Sequence, residues 1–345
     1  MSASQSTPVR PPRRPRRRTL LIGAAVVTLA AAVGASVALR TPEASAASYP
    51  GPGAVTGNIT VHDPSMIKGQ DGVYYLFGTH NGIEIRTSTD RTNFSYAGSV
   101  LPNGATWAGA YTSNVKDLWA PDVSYHNGTY FLYYAVSSFG SNHSAIGLAT
   151  STTAKPGSWT DKGVVYTSNT SKDYNAIDPS LIVDASGKWW LSWGSFWSGL
   201  KMIQIDPATG KQLASNTTRY NLAQRPSPDA LEAPTILRHG SYYYLFVSFD
   251  YCCKGTSSTY RIMVGRSSAI TGPYTDRNGT AMTSGGGTEI LASHSPIIGP
   301  GGQSVLVDSD NTLLVYHYYD GNANGLNKLG INFLSWDSAG WPYVW

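Results

Sequence analysis

Only two of the 345 residues are cysteine, Cys252 and Cys253, and they are neighbours. A disulfide network holding a small domain together is therefore excluded. The pair itself leaves two options open. It forms a strained vicinal disulfide, or it is two buried thiols, since adjacent residues do not easily reach disulfide geometry. Charge is sparse, with Asp, Glu, Lys and Arg at 13% of the chain. Helical periodicity is nearly absent. No interior linker or shift in composition marks a second domain, and Ser284-Gly285-Gly286-Gly287 is short enough to be a loop.

Long apolar runs are also lacking, with one exception. Arg10, Arg13, Arg14, Arg16, Arg17 and Arg18 form a basic head. An apolar run from Thr19 to Leu39 follows, and then the small residues Ala44-Ser45-Ala46. This is the layout of a secretory signal peptide. Arg17-Arg18-Thr19-Leu20-Leu21 also fits a twin-arginine signal, so both the Sec and the twin-arginine routes are open. A membrane anchor is the competing reading, because the run approaches the roughly 20 residues of a span. Its many Ala and Gly residues and the cleavage pattern favour removal. The expected organisation is a leader over 1–46 and a single catalytic domain over 47–345, secreted and extracellular. Residues 1–46 hold seven Arg and one acid, which leaves 18 basic and 20 acidic residues out of 25 and 21, a net of −2. The formal +4 of the whole chain thus belongs to the leader. Neither nucleic acid nor a membrane is expected as a partner of the remainder, and the expected state is a monomer.

What is present is a repeat. Asp63 leads to Tyr74-Tyr75 eleven and twelve residues on; Trp119 leads to Tyr130-Phe131, Asp178 to Trp189-Trp190 and Glu232 to Tyr243-Tyr244 at the same distance. A fifth copy runs from Gly302 to Leu313-Leu314. Self-similarity at a spacing of about 54–70 residues marks a repeat architecture. Runs such as Ser241-Tyr242-Tyr243-Tyr244-Leu245-Phe246-Val247 read as strands, and Asp71-Gly72, Asn127-Gly128, Ser186-Gly187 and His239-Gly240 as hairpin turns. Several short strands per unit, five units over, predict an all-β five-bladed β-propeller. A two-sheet sandwich does not predict five similar units.

In a ring, the anchors face one axis. Asp63, Asp178 and Glu232 would converge there, although each raises the proton affinity of the others. Stability alone disfavours such a cluster. A site that needs one carboxyl protonated and another ionised requires it, as glycoside hydrolysis does. Taken singly, each acid could instead be a turn or cap residue. Trp119, at the second anchor, is either a sugar-stacking platform or propeller packing. Gly302 leaves space for substrate or water. Asp122, three residues beyond Trp119, is not counted as a catalytic acid. His317, within Val315-Tyr316-His317-Tyr318-Tyr319-Asp320, reads from spacing alone as a core histidine rather than a metal ligand.

These stretches resemble the family 43 glycoside hydrolases, and among them the arabinan endo-1,5-α-L-arabinosidases, or arabinanases. The resemblance is carried by His62-Asp63-Pro64-Ser65, Leu118-Trp119-Ala120-Pro121-Asp122, Ala176-Ile177-Asp178-Pro179-Ser180, Trp193-Gly194-Ser195-Phe196-Trp197 and Leu231-Glu232-Ala233-Pro234. Ser248-Phe249-Asp250-Tyr251-Cys252-Cys253-Lys254-Gly255, Gly299-Pro300-Gly301-Gly302-Gln303-Ser304 and the His317 stretch continue it. The Asp-Tyr-Cys-Cys segment points to arabinanases over xylosidases. The resemblance implies inverting hydrolysis of arabinan, with Asp63 as general base, Glu232 as general acid and Asp178 raising the pKa of Glu232 and orienting it. It implies that Asn175, Ser195, Phe196 and Trp197 line the substrate cleft. It also implies a metal in the channel, commonly calcium, with His317 as its one protein ligand and waters as the rest. An exo-acting arabinanase or an arabinofuranosidase is the alternative within the class. A sugar-binding propeller without catalysis is the alternative outside it. Such a lectin would repeat its site in every blade, whereas these anchors differ.

Overall fold

Strand runs bounded by glycine-containing turns fold here as short antiparallel meanders. The computed structural model describes residues 49–345, and the expected leader over 1–46 lies outside the described residues. Five sheets follow one another along the chain. Blade 1 holds Ser65–Lys68, Tyr74–Gly78, Glu84–Ser88 and Asn93–Ser99, with Thr56–Gly57 added in parallel to its last strand. Blade 2 holds Trp119–His126, Thr129–Val136, Ser144–Ser151 and Thr160–Ser168. Blade 3 holds Ser180–Val183, Trp189–Trp193 and Leu200–Asp206, and both Lys211–Gln212 and Tyr220–Ala223 pair with the third of these. Blade 4 holds Leu231–His239, Tyr242–Phe249, Arg261–Ser267 and Thr288–Leu291, and blade 5 holds Ile297–Val307, Thr312–Asp320, Leu326–Trp336 and Pro342–Val344. The first strand of each blade lies against the first strand of the next, and that of blade 5 lies against that of blade 1. The ring is closed, and the fold is a five-bladed β-propeller. No α-helix occurs among the described residues.

The second strands explain the aromatic pairs in the sequence. Tyr74–Gly78 and Trp189–Trp193 are buried at every residue. A strand covered on both sheet faces reads as a continuous apolar run rather than an alternation, and here neighbouring blades cover both faces. Asn127 and Gly128 take φ of 50° and 81°, as a two-residue hairpin turn between His126 and Thr129 requires. The seam between blades 5 and 1 is closed by the segment leading into blade 1. The Gly53 amide donates to Ile331 O at 2.8 Å, Leu329 N–H to Ile59 O at 2.9 Å, and Asn332 Nδ2 to Gly51 O at 3.0 Å. Arg91 adds ion pairs to Asp308 and Asp310 across the same seam.

Candidate active site

The channel neck is built from one short turn repeated in all five blades. It is lined by Asp63-Pro64, Ala120-Pro121-Asp122, Asp178-Pro179, Ala233-Pro234-Thr235 and Gly302-Gln303-Ser304. The leading residue of each is left-handed, with φ of 46° at Asp63, 44° at Ala120, 56° at Asp178, 53° at Ala233 and 56° at Gly302. For a residue with a Cβ this conformation costs on the order of 1–3 kcal/mol, and such strain gathers at functional sites. The equivalent backbone positions are therefore 63, 120, 178, 233 and 302. Trp119 and Glu232 sit one residue earlier, on the strands themselves, opposite Ala135 and Ser248. The matched anchors of the sequence reading are off by one in blades 2 and 4. The reason is turn length. Blades 2 and 4 close with two-residue hairpins at 127–128 and 240–241, whereas blades 1 and 3 use longer loops at 69–73 and 184–188.

The third residues of these turns stitch the blades together. Ser65 Oγ accepts from Val123 N–H at 3.1 Å, Asp122 Oδ2 from Leu181 N–H at 2.8 Å, and Ser304 Oγ donates to Pro64 O at 2.7 Å. Burial pushes Asp122 up to about 7, with the Leu181 and Ser180 hydrogen bonds opposing. Asp122 belongs to this inter-blade stitching and also lines the channel.

Asp63 has one oxygen tied and one without a hydrogen bond, 3.6 Å from His317 Nδ1. Oδ2 accepts from the Thr79 hydroxyl at 2.7 Å and lies 2.9 Å from His62 Nδ1. Thr79 is itself oriented by the Ala120 amide, 2.9 Å from its Oγ1. Oδ1 faces Gly302, where an added Cβ would lie 2.5 Å from it and 2.7 Å from His317 Cε1. Glycine here makes room for both side chains. Burial alone would raise the Asp63 pKa, but the His62 charge, the His62 hydrogen bond and the Thr79 hydroxyl hold it below the usual carboxylate range. Burial presses His62 the other way, yet the charge and hydrogen bond of Asp63 and the charge of Glu232 raise its proton affinity.

Glu232 is buried, with Oε2 accepting from Ser195 Oγ at 2.5 Å. Ser195 also forms an isolated backbone bridge with Glu232. Burial first, and then the charge of Asp63, push Glu232 up to about 7, against the Ser195 hydrogen bond and the His62 charge. Asp178 Oδ2 accepts from the amide of Ala233, the residue after Glu232, at 3.1 Å. Burial, then Glu232 and Asp63, raise Asp178 well above the carboxylate range. Proton affinity is thus raised at Asp178 and Glu232 and lowered at Asp63. The rise at Glu232 comes from burial and the Asp63 charge rather than from a charge on Asp178, which is itself pushed toward the neutral form.

The structure distributes the remaining predicted residues as follows. Trp119 is half-buried, and its Nε1 is a buried atom with no partner among the described residues. Asn175 is buried with Oδ1 accepting from Ser144 Oγ at 2.6 Å. Ser195 lies beneath the acid rather than on an open wall, because its hydroxyl is engaged by Glu232. Phe196 and Trp197 are both left-handed, on the loop joining the second and third strands of blade 3, with Phe196 6.0 Å from the ring of Tyr251. His317 is wholly buried, stacks on His62 at 3.7 Å, and accepts from the Asp63 amide through Nδ1 at 3.1 Å. Burial and the neighbouring His62 push its pKa well below the histidine range, so the ring is neutral. Cys252 and Cys253 form the vicinal disulfide, which settles the choice left open by the sequence. His62, Thr79 and Tyr319 are site residues that sequence reasoning missed. The signal for His62 was its position beside Asp63.

The channel pairs a carboxyl of lowered proton affinity, Asp63, with a buried one of raised affinity, Glu232, the division of labour that cleaving a glycosidic bond with water demands. The model of the glycosyl hydrolases family 43 matches residues 54–342. The chain is 47% identical to the extracellular endo-alpha-(1->5)-L-arabinanase 1 of Bacillus subtilis over 291 residues, 83% of this chain and 88% of that one. It is 40% identical to an extracellular exo-alpha-(1->5)-L-arabinofuranosidase of Cellvibrio japonicus over 301 residues, 83% and 86% of the two chains. The solved GH43 endo-arabinanase of Bacillus licheniformis superposes with a TM-score of 0.79 at 48% identity, covering 84% of this chain and 99% of that one. Fold and site are those of a glycosidase. The chain belongs to glycosyl hydrolase family 43.

Proposed function

We propose that this protein hydrolyses the α-1,5-L-arabinofuranosidic bonds of arabinan in one inverting step. The observation that carries the reading is the opposite treatment of two converging carboxyls. Asp63 is held ionised with Oδ1 toward the channel, and Glu232 is held protonated over Ser195. Water approached by Asp63 Oδ1 loses a proton to it and attacks the anomeric carbon. The carbon–oxygen bond to the leaving sugar breaks, and Glu232 gives its proton to that oxygen. Asp63 ends protonated and Glu232 ionised, and exchange with solvent restores both. Asp178, on the Ala233 amide, holds the acid's backbone in place.

Endo action is supported by the relatives named endo-arabinanases, and exo action by the relative from Cellvibrio japonicus. Product analysis on linear arabinan separates them. Mixed oligomers early in the reaction are expected. A single short product from the outset would mean exo action, and no product at all would mean a binding propeller. Export is supported by the leader motif together with relatives named extracellular. No helix among the described residues is long and apolar enough to cross a membrane.

Calcium at His317 is part of this proposal. His317 Nε2 is buried without a partner among the described residues, and His62, Asp63 and His317 place candidate ligand atoms within 4.8 Å of one another. With Nδ1 accepting from the Asp63 amide, the proton of the neutral ring sits on Nε2. As it stands, that atom would hold a hydrated cation through a hydrogen bond rather than as a direct ligand. Direct ligation requires the proton on Nδ1 and a longer contact to the Asp63 amide. A hard cation with mostly oxygen ligands fits the water-mediated form, and its chemistry would be to fix the charge and the waters beside Asp63. Exhaustive chelation is expected to lower activity and melting temperature, with recovery on calcium addition. Unchanged values would leave His317 a core histidine.

A further inference from the structure

The vicinal disulfide sits beside His62, the neighbour of the base. It lies on the loop between the second and third strands of blade 4, with Cys252 half-buried and Cys253 exposed. Cys253 is left-handed, with φ of 67°, a conformation cysteine does not favour. Its amide donates to the Tyr319 hydroxyl at 2.7 Å. Tyr319 Oη is 3.0 Å from His62 Nε2, and His62 Nδ1 is 2.9 Å from Asp63 Oδ2. Blades 4, 5 and 1 are thereby joined in one line that ends on the carboxylate. An amide only donates and an ionised carboxylate only accepts, so both ends of the line have fixed polarity. The middle bond joins them whichever of Tyr319 and His62 carries the proton. Cys253 Sγ also rests 3.8 Å from His62 Nε2.

The rest of the loop is braced lower down, by Thr259 N–H on Tyr251 O at 2.9 Å and Lys254 N–H on Ser258 Oγ at 3.0 Å. Neither bond fixes the peptide between the two cysteines. The disulfide does, because it closes a small covalent ring around that peptide and removes its freedom to turn.

We propose that the Cys252–Cys253 disulfide is a positioning element for Asp63, holding the Cys253 amide that anchors the relay through Tyr319 and His62. This rests on the reading of Asp63 as the base. With Oδ2 fixed by the relay and by Thr79, Oδ1 is left toward the channel. Opening the disulfide frees the peptide, and the left-handed Cys253 relaxes away from Tyr319. His62 then loses its outer support and Asp63 its fixed orientation. The oxidised chain is the fast one. The opening is a two-electron step. A dithiol gives two electrons and two protons to the S–S bond, two cysteine thiols result, and the reagent closes to a cyclic disulfide.

The test is to treat the folded enzyme with dithiothreitol until two thiols titrate, then measure kcat and KM on linear arabinan. The kcat is expected to fall about tenfold, the effect of one lost hydrogen bond in an orienting chain, with KM within about twofold. Tyr319→Phe, which breaks the relay at its middle, is expected to show a similar loss. Reducing that variant should then change nothing more, since the two perturbations share one path. A disulfide that merely stabilised the loop would still respond to reduction in Tyr319→Phe, and that result overturns the proposal. So does an unchanged kcat in the reduced enzyme, or a raised KM with kcat intact. Should Tyr319→Phe not fold, the Cys252→Ser, Cys253→Ser double variant is measured instead. It should match the reduced enzyme and ignore dithiothreitol, and full activity in it would sink the idea. An active Asp63→Asn enzyme would remove the reading of Asp63 as base, a result separate from any response to the dithiol.

Discussion

Glu232→Gln is expected to lower kcat on linear arabinan by about 10³–10⁴-fold, while affinity for arabino-oligosaccharides changes little. The substitution keeps shape and a hydrogen-bonding partner for Ser195 Oγ, but Gln has no proton to give. The loss should shrink on an aryl arabino-oligosaccharide whose phenolate leaves unaided, because protonating the leaving oxygen then matters little. The pH profile carries the same signature. In the proposed role Glu232 acts only when protonated, and burial with the Asp63 charge pushes its pKa up to about 7. Activity should therefore fall as pH rises through that value, and on the acid side it should hold until Asp63, whose proton affinity is lowered, takes up a proton. Rates measured across the range in buffers of constant ionic strength check this. Full turnover by Glu232→Gln would remove it as the acid.

Asp63→Asn is expected to cost about as much, and the loss should persist with the aryl substrate. The amide cannot take the proton of the attacking water, whatever the leaving group. Only this contrast separates base from acid, since both variants are slow on arabinan. Folding should survive, because Asn tolerates the left-handed conformation observed at residue 63. Equal recovery of both variants on the aryl substrate would mean that the two roles are assigned wrongly.

Much of this was legible in the sequence, for physical reasons. Second strands are covered on both faces, so Tyr74-Tyr75 and Trp189-Trp190 stand out as unbroken apolar pairs, and their recurrence reveals the ring. Asp63 and Asp178 stand out because each leads a proline in the same turn. The one-residue offset of Trp119 and Glu232 was hidden because shorter hairpins in blades 2 and 4 compensate for it in the residue count. The support around the acids was hidden for a different reason. Tyr319 meets His62 across 257 positions, and Ser195 meets Glu232 across 37. Contacts of that range leave no periodic trace. The Cys252–Cys253 bond was undecidable because adjacency permits either state, and only loop conformation selects one.

The most direct test of the account is the configuration of the first product. Proton NMR of the anomeric signals in the opening minutes of hydrolysis, before mutarotation, reads it without any variant. An acid and a base acting on opposite faces of the sugar predict that the α-linked substrate releases the β-anomer first. Release of the α-anomer would mean a double displacement and would contradict the roles given to Asp63 and Glu232.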